Sequence, residues 1–265
     1  MSININQHLN EKLQKKTAVK IISGLNNFDI PSVSTIVTAA SNAGATFLDI
    51  AASKDLILLA RNLTKLPICV SAINFKEFVS AISHGVDMIE IGNFDTFYEQ
   101  KRFFGVAEIF HLVERLRAKS SKTTLSVTIP FILPIHRALS FIELLKKNDL
   151  NLVQTEGGFS NSVLNKKSGM LNSIEKTSST LIACHYFSKN NSTPILCSSN
   201  MNAITMPLAS ICGANGIGVG SAVNKLNSEM AMTAAIQSFS TEFGSSTFVV
   251  HSQMMQKKMQ ARVSA

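Results

Sequence analysis

PILCSSNMNAITMPLASICGANGIGVGSAVNKL, residues 194–226, is the stretch whose reading decides the fold. Two apolar runs, Pro194–Ser199 and Gly216–Ser221, flank a mainly apolar segment, Ala203–Cys212, that reads as a helix, and Gly213 stands where its C-cap would fall. Runs that are apolar almost without interruption suit strands buried on both faces. A strand, a helix and a second such strand make one parallel unit with a right-handed crossover.

The unit repeats upstream. Further apolar runs occupy Lys20–Leu25, Ala45–Ala52, Pro67–Ile73, Met88–Phe94, Thr123–Pro130 and Leu150–Glu156. Between and after the runs, helices are predicted over Val33–Ser41, Asp55–Leu63, Phe75–Ile82, Thr96–Ala118, His136–Lys147, Ile174–Ser188 and Ser228–Phe239. Ser53 is a candidate N-cap, and Gly44 and Gly85 are candidate C-caps. Eight strand–helix units in 265 residues predict an α/β protein, a single (β/α)8 TIM barrel over residues 1–265. Residues 1–18 read as a short helix under the barrel, and residues 244–265 as an acid-free, basic tail containing Met254, Met255 and Met259. An open doubly wound sheet would carry Gly-x-Gly-x-x-Gly after its first strand, and Ser23–Gly24–Leu25–Asn26–Asn27 is not that motif. The segment 157–169 has glycines at both ends and reads either as a mobile loop over a site or as a plain surface loop.

Composition excludes several classes. A hydrophobic fraction of 45% excludes disorder, and four cysteines without a Cys-x-x-Cys pair exclude a disulfide scaffold. No run approaches the roughly 18 apolar residues of a membrane span. The start, MSININQHLNEKLQKK, has neither the apolar core of a secretory signal nor the arginines of a transit peptide. The net charge of +8 is spread over scattered pairs with no tryptophan and two tyrosines, so no nucleic-acid partner is expected. The six histidines form no ligating pair, and no metal is expected. His185 and Cys184 point apart on their helix. Cys197, beside Ser198, is a nucleophile or, more commonly for a cysteine, a small buried residue.

In a barrel, chemistry collects where strands end. Alternation along each strand assigns faces, and a carboxylate turned toward the apolar helix layer is costly. Asp49, Glu90, Gln154 and Glu156 therefore turn inward, together with Ser71, Ser126 and Thr128, and a polar mouth with three acids is expected. Lys20, at the start of its run, is an amine nucleophile, a cation for a substrate anion, a structural ion-pair partner of Asp49 or Glu156, or an exposed strand-entry lysine. Glu156 ends its strand ahead of Gly157–Gly158 and is the stronger acid–base candidate, with Glu90 beside it. The last two turns supply Ser199, Asn200, Gly218, Gly220 and Ser221. With Gly216, the glycines let backbone approach a ligand, and barrels commonly bind phosphate after strands seven and eight. The competing reading is a tight turn with glycines for packing.

KIISGLNNFD (20–29), LDIA (48–51), CVSA (69–72), EIGNFDTFY (90–98), LSVTIP (125–130), QTEGG (154–158) and GVGSAVNKLN (218–227) together resemble the hypothetical chloroplast reading frame twenty-three family of algal plastids and cyanobacteria. The resemblance spans about residues 19–240. It implies a plastid protein with a TIM barrel and supplies no reaction. A plastid-encoded chain would need no transit peptide. The eighth-strand region is also similar to the phosphate grip of flavin-mononucleotide and ribulose-phosphate barrels. Those usually carry Ser-Gly or Gly-Gly where this chain has Ser199–Asn200, and many carry a histidine where this chain has Phe131. Three functions follow as alternatives. The first is a lyase, aldolase or isomerase acting on a small phosphorylated molecule, with Glu156 or Glu90 as acid or base, Asp49 setting the field and Lys20 as an outside Schiff-base candidate. The second is an oxidoreductase with flavin mononucleotide (FMN) as cofactor. The third is a binding or assembly protein on a barrel scaffold.

Overall fold

The computed structural model describes residues 7–98, 100–157 and 170–245. Its strands are β1 (Ala18–Ile22), β2 (Phe47–Ala51), β3 (Ile68–Ala72), β4 (Met88–Ile91), β5 (Thr124–Ile129), β6 (Leu152–Thr155), β7 (Ile195–Ser198) and β8 (Gly216–Val219). All pair in parallel in chain order, and β8 closes on β1 with Gly216 opposite Ala18 and Gly218 opposite Lys20. The expected (β/α)8 barrel is therefore present. The helices are α1 (Gln7–Gln14), α2 (Ile30–Asn42), α3 (Lys54–Leu63), α4 (Phe75–Ser83), α5 (Asp95–Tyr98), α6 (Val106–Lys119), α7 (Ile135–Lys146), α8 (Met170–Asn190), α9 (Met206–Ile211) and α10 (Ser221–Asn224), and α11 covers 229–245.

Local chemistry accounts for the helix ends. The Asp29 side chain accepts from the Ser32 amide at the start of α2, and Asn74 accepts from Lys76 N at the start of α4. Gly44, Gly85 and Gly213 follow α2, α4 and α9 with φ of 72°, 77° and 92°, the left-handed turn expected of them. Ser53 occupies the N-cap of α3, but its side chain makes no capping bond.

Several expected bounds change. The helix expected over Thr96–Ala118 is two, because Lys101 turns left-handed (φ 57°) and Gly105 stands extended ahead of α6. The helix expected over Ala203–Cys212, after the seventh strand, shortens to Met206–Ile211, with Pro207 in its first turn, and the helix expected over Ile174–Ser188 lengthens to Met170–Asn190. β1 begins at Ala18, so Lys20 is the middle of its strand and not the start. Of the segment 157–169 only Gly157 is described, and of the tail 244–265 only the first two residues; the lid and tail readings lie outside the described residues.

The barrel interior is stacked by polarity. At the bottom, Leu9 and Leu13 of α1 meet Ala18, Phe47, Cys69, Met88, Leu152 and Leu196 in one apolar cluster. The N-terminal helix thus plugs the barrel floor. The larger apolar core lies between strands and helices. Above the floor come the charged residues. Gly216 belongs to the floor rather than to the mouth: a Cβ there would sit 2.6 Å from Leu196 Cδ2 and 2.7 Å from the Ala18 carbonyl oxygen. Its glycine is a packing requirement of the β7–β8–β1 closure. Gly216→Ala is expected to destabilise the fold by about 2 kcal/mol through overpacking, read by urea unfolding. A loss near zero would mean that the floor yields.

Candidate functional site

The inward alternation puts Lys20 of β1, Asp49 of β2, Glu90 of β4 and Gln154 of β6 in one layer. Lys20 Nζ lies 2.7 Å from Asp49 Oδ2 and 2.8 Å from Glu90 Oε2, and it donates to Gln154 Oε1 at 3.0 Å. Its side chain is 0% exposed. Glu90 also accepts from Ser126 Oγ (2.7 Å), Thr128 Oγ1 (3.1 Å) and Gln154 Nε2 (2.6 Å). Asp49 accepts from Ser71 Oγ at 2.6 Å. Burial pulls the Lys20 ammonium down, but Asp49 and Glu90 overcome it and hold the group above its ordinary value. Burial pushes the Glu90 carboxyl up, against the opposing pull of Lys20.

A cavity of about 500 Å³ opens above this layer. It is lined from β4–α5 by Asn93 and Asp95, from β5 by Thr128, from β6 by Gln154 and Glu156, from β7–α9 by Ser198–Met201, and from β8–α10 by Gly218, Gly220, Ser221 and Lys225. Lys20, Asp49 and Glu90 do not line it. The expected mouth with three acids is therefore corrected: two of them lie one layer down and are spent on Lys20, because β2 and β4 end only one or two residues beyond them. The Lys20–Asp49 pair is present, whereas a Lys20–Glu156 pair is not. A protonated, fully engaged ammonium in a closed layer is also the wrong state for a Schiff-base nucleophile.

Glu156 lies just past β6 and is 5% exposed. Its Oε1 accepts from Asp95 N at 2.9 Å, and its Oε2 accepts from the Tyr98 hydroxyl at 2.5 Å and from Phe131 N at 3.2 Å. Burial pushes its carboxyl up to about 7, although all three donors favour the charged form. Burial and the Glu156 charge raise the Tyr98 phenol, which stays protonated as a donor. The Phe131 position, where a histidine was the expectation from similar barrels, thus contributes its backbone N–H.

The turn after β7 keeps its shape without glycine. Ser199 and Asn200 both stand at positive φ, 80° and 56°. A serine there is strained, whereas an asparagine tolerates the left-handed region. The Asn200 amide is drawn toward the Lys176 carbonyl (3.5 Å) and Ser199 Oγ (3.4 Å). Gly157, beside Glu156, packs on this turn: a Cβ on it would lie 2.8 Å from Ser199 Oγ. Gly218 leaves room for Ser198, whose Oγ would be 2.6 Å from a Cβ at 218. Asn224 donates to the Ile22 and Ser23 carbonyls (3.0 and 3.1 Å) and ties α10 to β1.

The structure thus brings Glu156, Ser199, Asn200, Gly218, Gly220 and Ser221 to one cavity and leaves Lys20, Asp49 and Glu90 beneath it. Sequence reading missed Lys225, the one cationic side chain among the described residues lining the cavity, and the Tyr98 and Asn93 contributions. Lys225 was signalled by its place four residues after Ser221, one short helix past the glycines. Cys197 is buried, with its sulfur 3.9 Å from Met201 Sδ, and is no mouth nucleophile. His185 is exposed while Cys184 is buried, so the two do point apart. Among the described residues no group of three or more His, Cys, Asp or Glu is placed to hold a metal ion, and no helix is long and apolar enough to cross a membrane.

Fold and mouth define a closed eight-stranded parallel barrel of the TIM type with a polar cavity at the carboxyl ends of its strands. The chain belongs to the DUF561 family, described as a protein of unknown function, whose model matches residues 4–249. It is similar to the uncharacterized protein ycf23 of Cyanophora paradoxa, 37% identical over 92% of this chain and 99% of that protein. The expected kinship with the plastid reading-frame family is thereby established, and plastid placement is in keeping with that designation. Among solved structures, the fold is similar to thiamine phosphate pyrophosphorylase from Pyrococcus furiosus (TM-score 0.57, 13% identity, 88% of this chain and 98% of that one). It is also similar to (S)-3-O-geranylgeranylglyceryl phosphate synthase from Thermoplasma acidophilum, solved with sn-glycerol-1-phosphate (TM-score 0.59, 12% identity, 89% and 98%). At such identities the likeness is one of fold.

Proposed function

We propose that this barrel is an enzyme acting on a small phosphorylated molecule by general acid–base chemistry, of lyase, aldolase or isomerase type. The observation that carries the reading is the placement of Glu156: it is buried yet lines the same cavity as the β7 and β8 turns, and burial pushes its carboxyl up to about 7. An acid whose pKa lies near the working pH both takes and returns a proton efficiently. The phosphate end of the substrate would rest against Ser199, Asn200, Gly218, Gly220 and Ser221, with Lys225 supplying the opposite charge. The names of two fold neighbours, which refer to thiamine phosphate and a glyceryl phosphate, support this class of ligand. Glu156 would exchange a proton with the carbon or oxygen next to the bond that changes. Glu90, Asp49 and Lys20 would act from below, by holding Gln154 and the charge layer in place.

Native mass spectrometry of gently purified protein, with an absorbance spectrum of the same sample, tests the reading. A co-purifying phosphorylated mass is expected. A flavin spectrum would instead favour the FMN-dependent alternative, and a stable protein partner with an empty cavity the scaffold alternative. Inorganic phosphate is expected to bind the wild type, and Lys225→Gln to weaken that binding about ten-fold, ~1.4 kcal/mol, in a calorimetric titration. An unchanged phosphate affinity in Lys225→Gln would place the anion elsewhere.

A further inference from the structure

A second cavity, of about 690 Å³, opens on the other side of Leu25, between the loop after β1 and the β3–α4 and β4–α6 turns. Its walls are aromatic. Phe28, Phe75, Phe97 and Phe104 face it, and Phe28 is 59% exposed. Phe97 meets Phe104 edge-on, with centroids 5.5 Å apart. This volume and lining match those of small-molecule sites. Phe28 is the exposed ring of this wall, while Phe75 and Phe97 are half-buried and Phe104 is buried, so the four together offer a partly covered apolar face to a ligand's body.

Charge at the rim specifies the other end of that ligand. Lys76, Arg102 and Arg115 line the cavity against two carboxylates, Glu77 and Glu108. Arg102 pairs with Glu108 and lies over Phe104, 4.2 Å from its centroid. Arg115 lies over Phe75 at 4.0 Å and has no carboxylate partner among the described residues. A guanidinium stacked on a ring keeps a fork of N–H donors at its edge, matched to a carboxylate.

We infer that this cavity is a second binding site, for a small amphiphilic carboxylate with an aromatic or short hydrocarbon body, the body against the phenylalanines and the carboxylate on Arg115. The site is distinct from the polar mouth, and the inference does not rest on the reading of that mouth. Calorimetric titration of the full chain with 2-naphthoate tests it. One saturable site per chain is expected. Arg115→Gln should weaken it at least ten-fold and Phe28→Ser several-fold; both side chains are exposed, so both variants should fold. Lys225→Gln and saturating inorganic phosphate should leave it unchanged. Absence of saturable one-to-one binding, equal affinity in Arg115→Gln and wild type, or displacement by phosphate would each overturn the assignment.

Discussion

Lys20→Met is expected to destabilise the protein by about 3–5 kcal/mol at neutral pH, the usual result of removing one partner from a buried ion pair. The cause is what remains. Asp49 and Glu90 both stand within 3 Å of the Lys20 ammonium, at 2.7 and 2.8 Å, and both are closed off from water. Without the cation they are two like charges in a low-dielectric layer, with Ser71, Ser126, Thr128 and Gln154 as donors that cannot neutralise them. The sign of the pH dependence follows. Losing the cation removes the pull that opposes burial at Glu90, so that carboxyl stands further above its unfolded value. A carboxyl so raised contributes stability below its unfolded pKa and loses it as pH rises through the folded one. The deficit should therefore be small near about pH 5 and grow toward neutrality. Urea unfolding of wild type and variant at the two pH values reads it directly. The triple variant K20M/D49N/E90Q should recover most of the loss, because it removes the stranded charge as well as its partner. A pH-independent deficit under 1 kcal/mol would mean that water reaches the layer. In that case the charges would be free to act at the mouth.

The same layer shows what the sequence discloses. Period-2 alternation turned Asp49, Glu90 and Gln154 inward correctly, because a one-residue slip would have put carboxylates against the apolar helices. Depth was not legible. Whether an inward residue lines the mouth or lies a layer below depends on how far its strand runs past it and on the barrel's stagger, which are properties of neighbouring strands. The run reads as Lys20–Leu25, whereas Ala18 and Val19 already pair with Gly216 and Ile217, so the strand begins two residues ahead of Lys20. The partners of Glu156 were hidden for a related reason. Asp95, Tyr98 and Phe131 come from two other turns, and their convergence has no local pattern. The glycines divide between the two readings made of them. Gly216 serves packing in the floor, and Gly218 and Gly220 line the cavity. Their identical residue type carried no sign of the difference.

Glu156→Gln is expected to abolish turnover of any phosphorylated substrate recovered from the protein, a loss on the order of 10²–10⁴-fold in kcat, while leaving the fold intact. The variant carries a second signature that needs no substrate. In the folded wild type burial pushes the carboxyl up to about 7 from an ordinary 4.5. The folded state therefore holds this proton more tightly than the unfolded chain. The group's contribution to stability is complete below about 4.5 and is lost as pH rises to about 7, roughly 3 kcal/mol over that window. A glutamine does not titrate, so the variant should lack this slope. It will carry a fixed offset, because its amide presents N–H to one of three converging donors, a loss of about 1 kcal/mol. The stability difference between wild type and variant, followed by urea unfolding from about pH 4.5 to 8, should shift by some 3 kcal/mol in the variant's favour. A parallel pair of curves would show that the three donors outweigh burial and that Glu156 is an ordinary carboxylate at neutral pH. It would then be unable to hold a proton for catalysis, and the acid–base reading of the mouth would fail even if phosphate bound there.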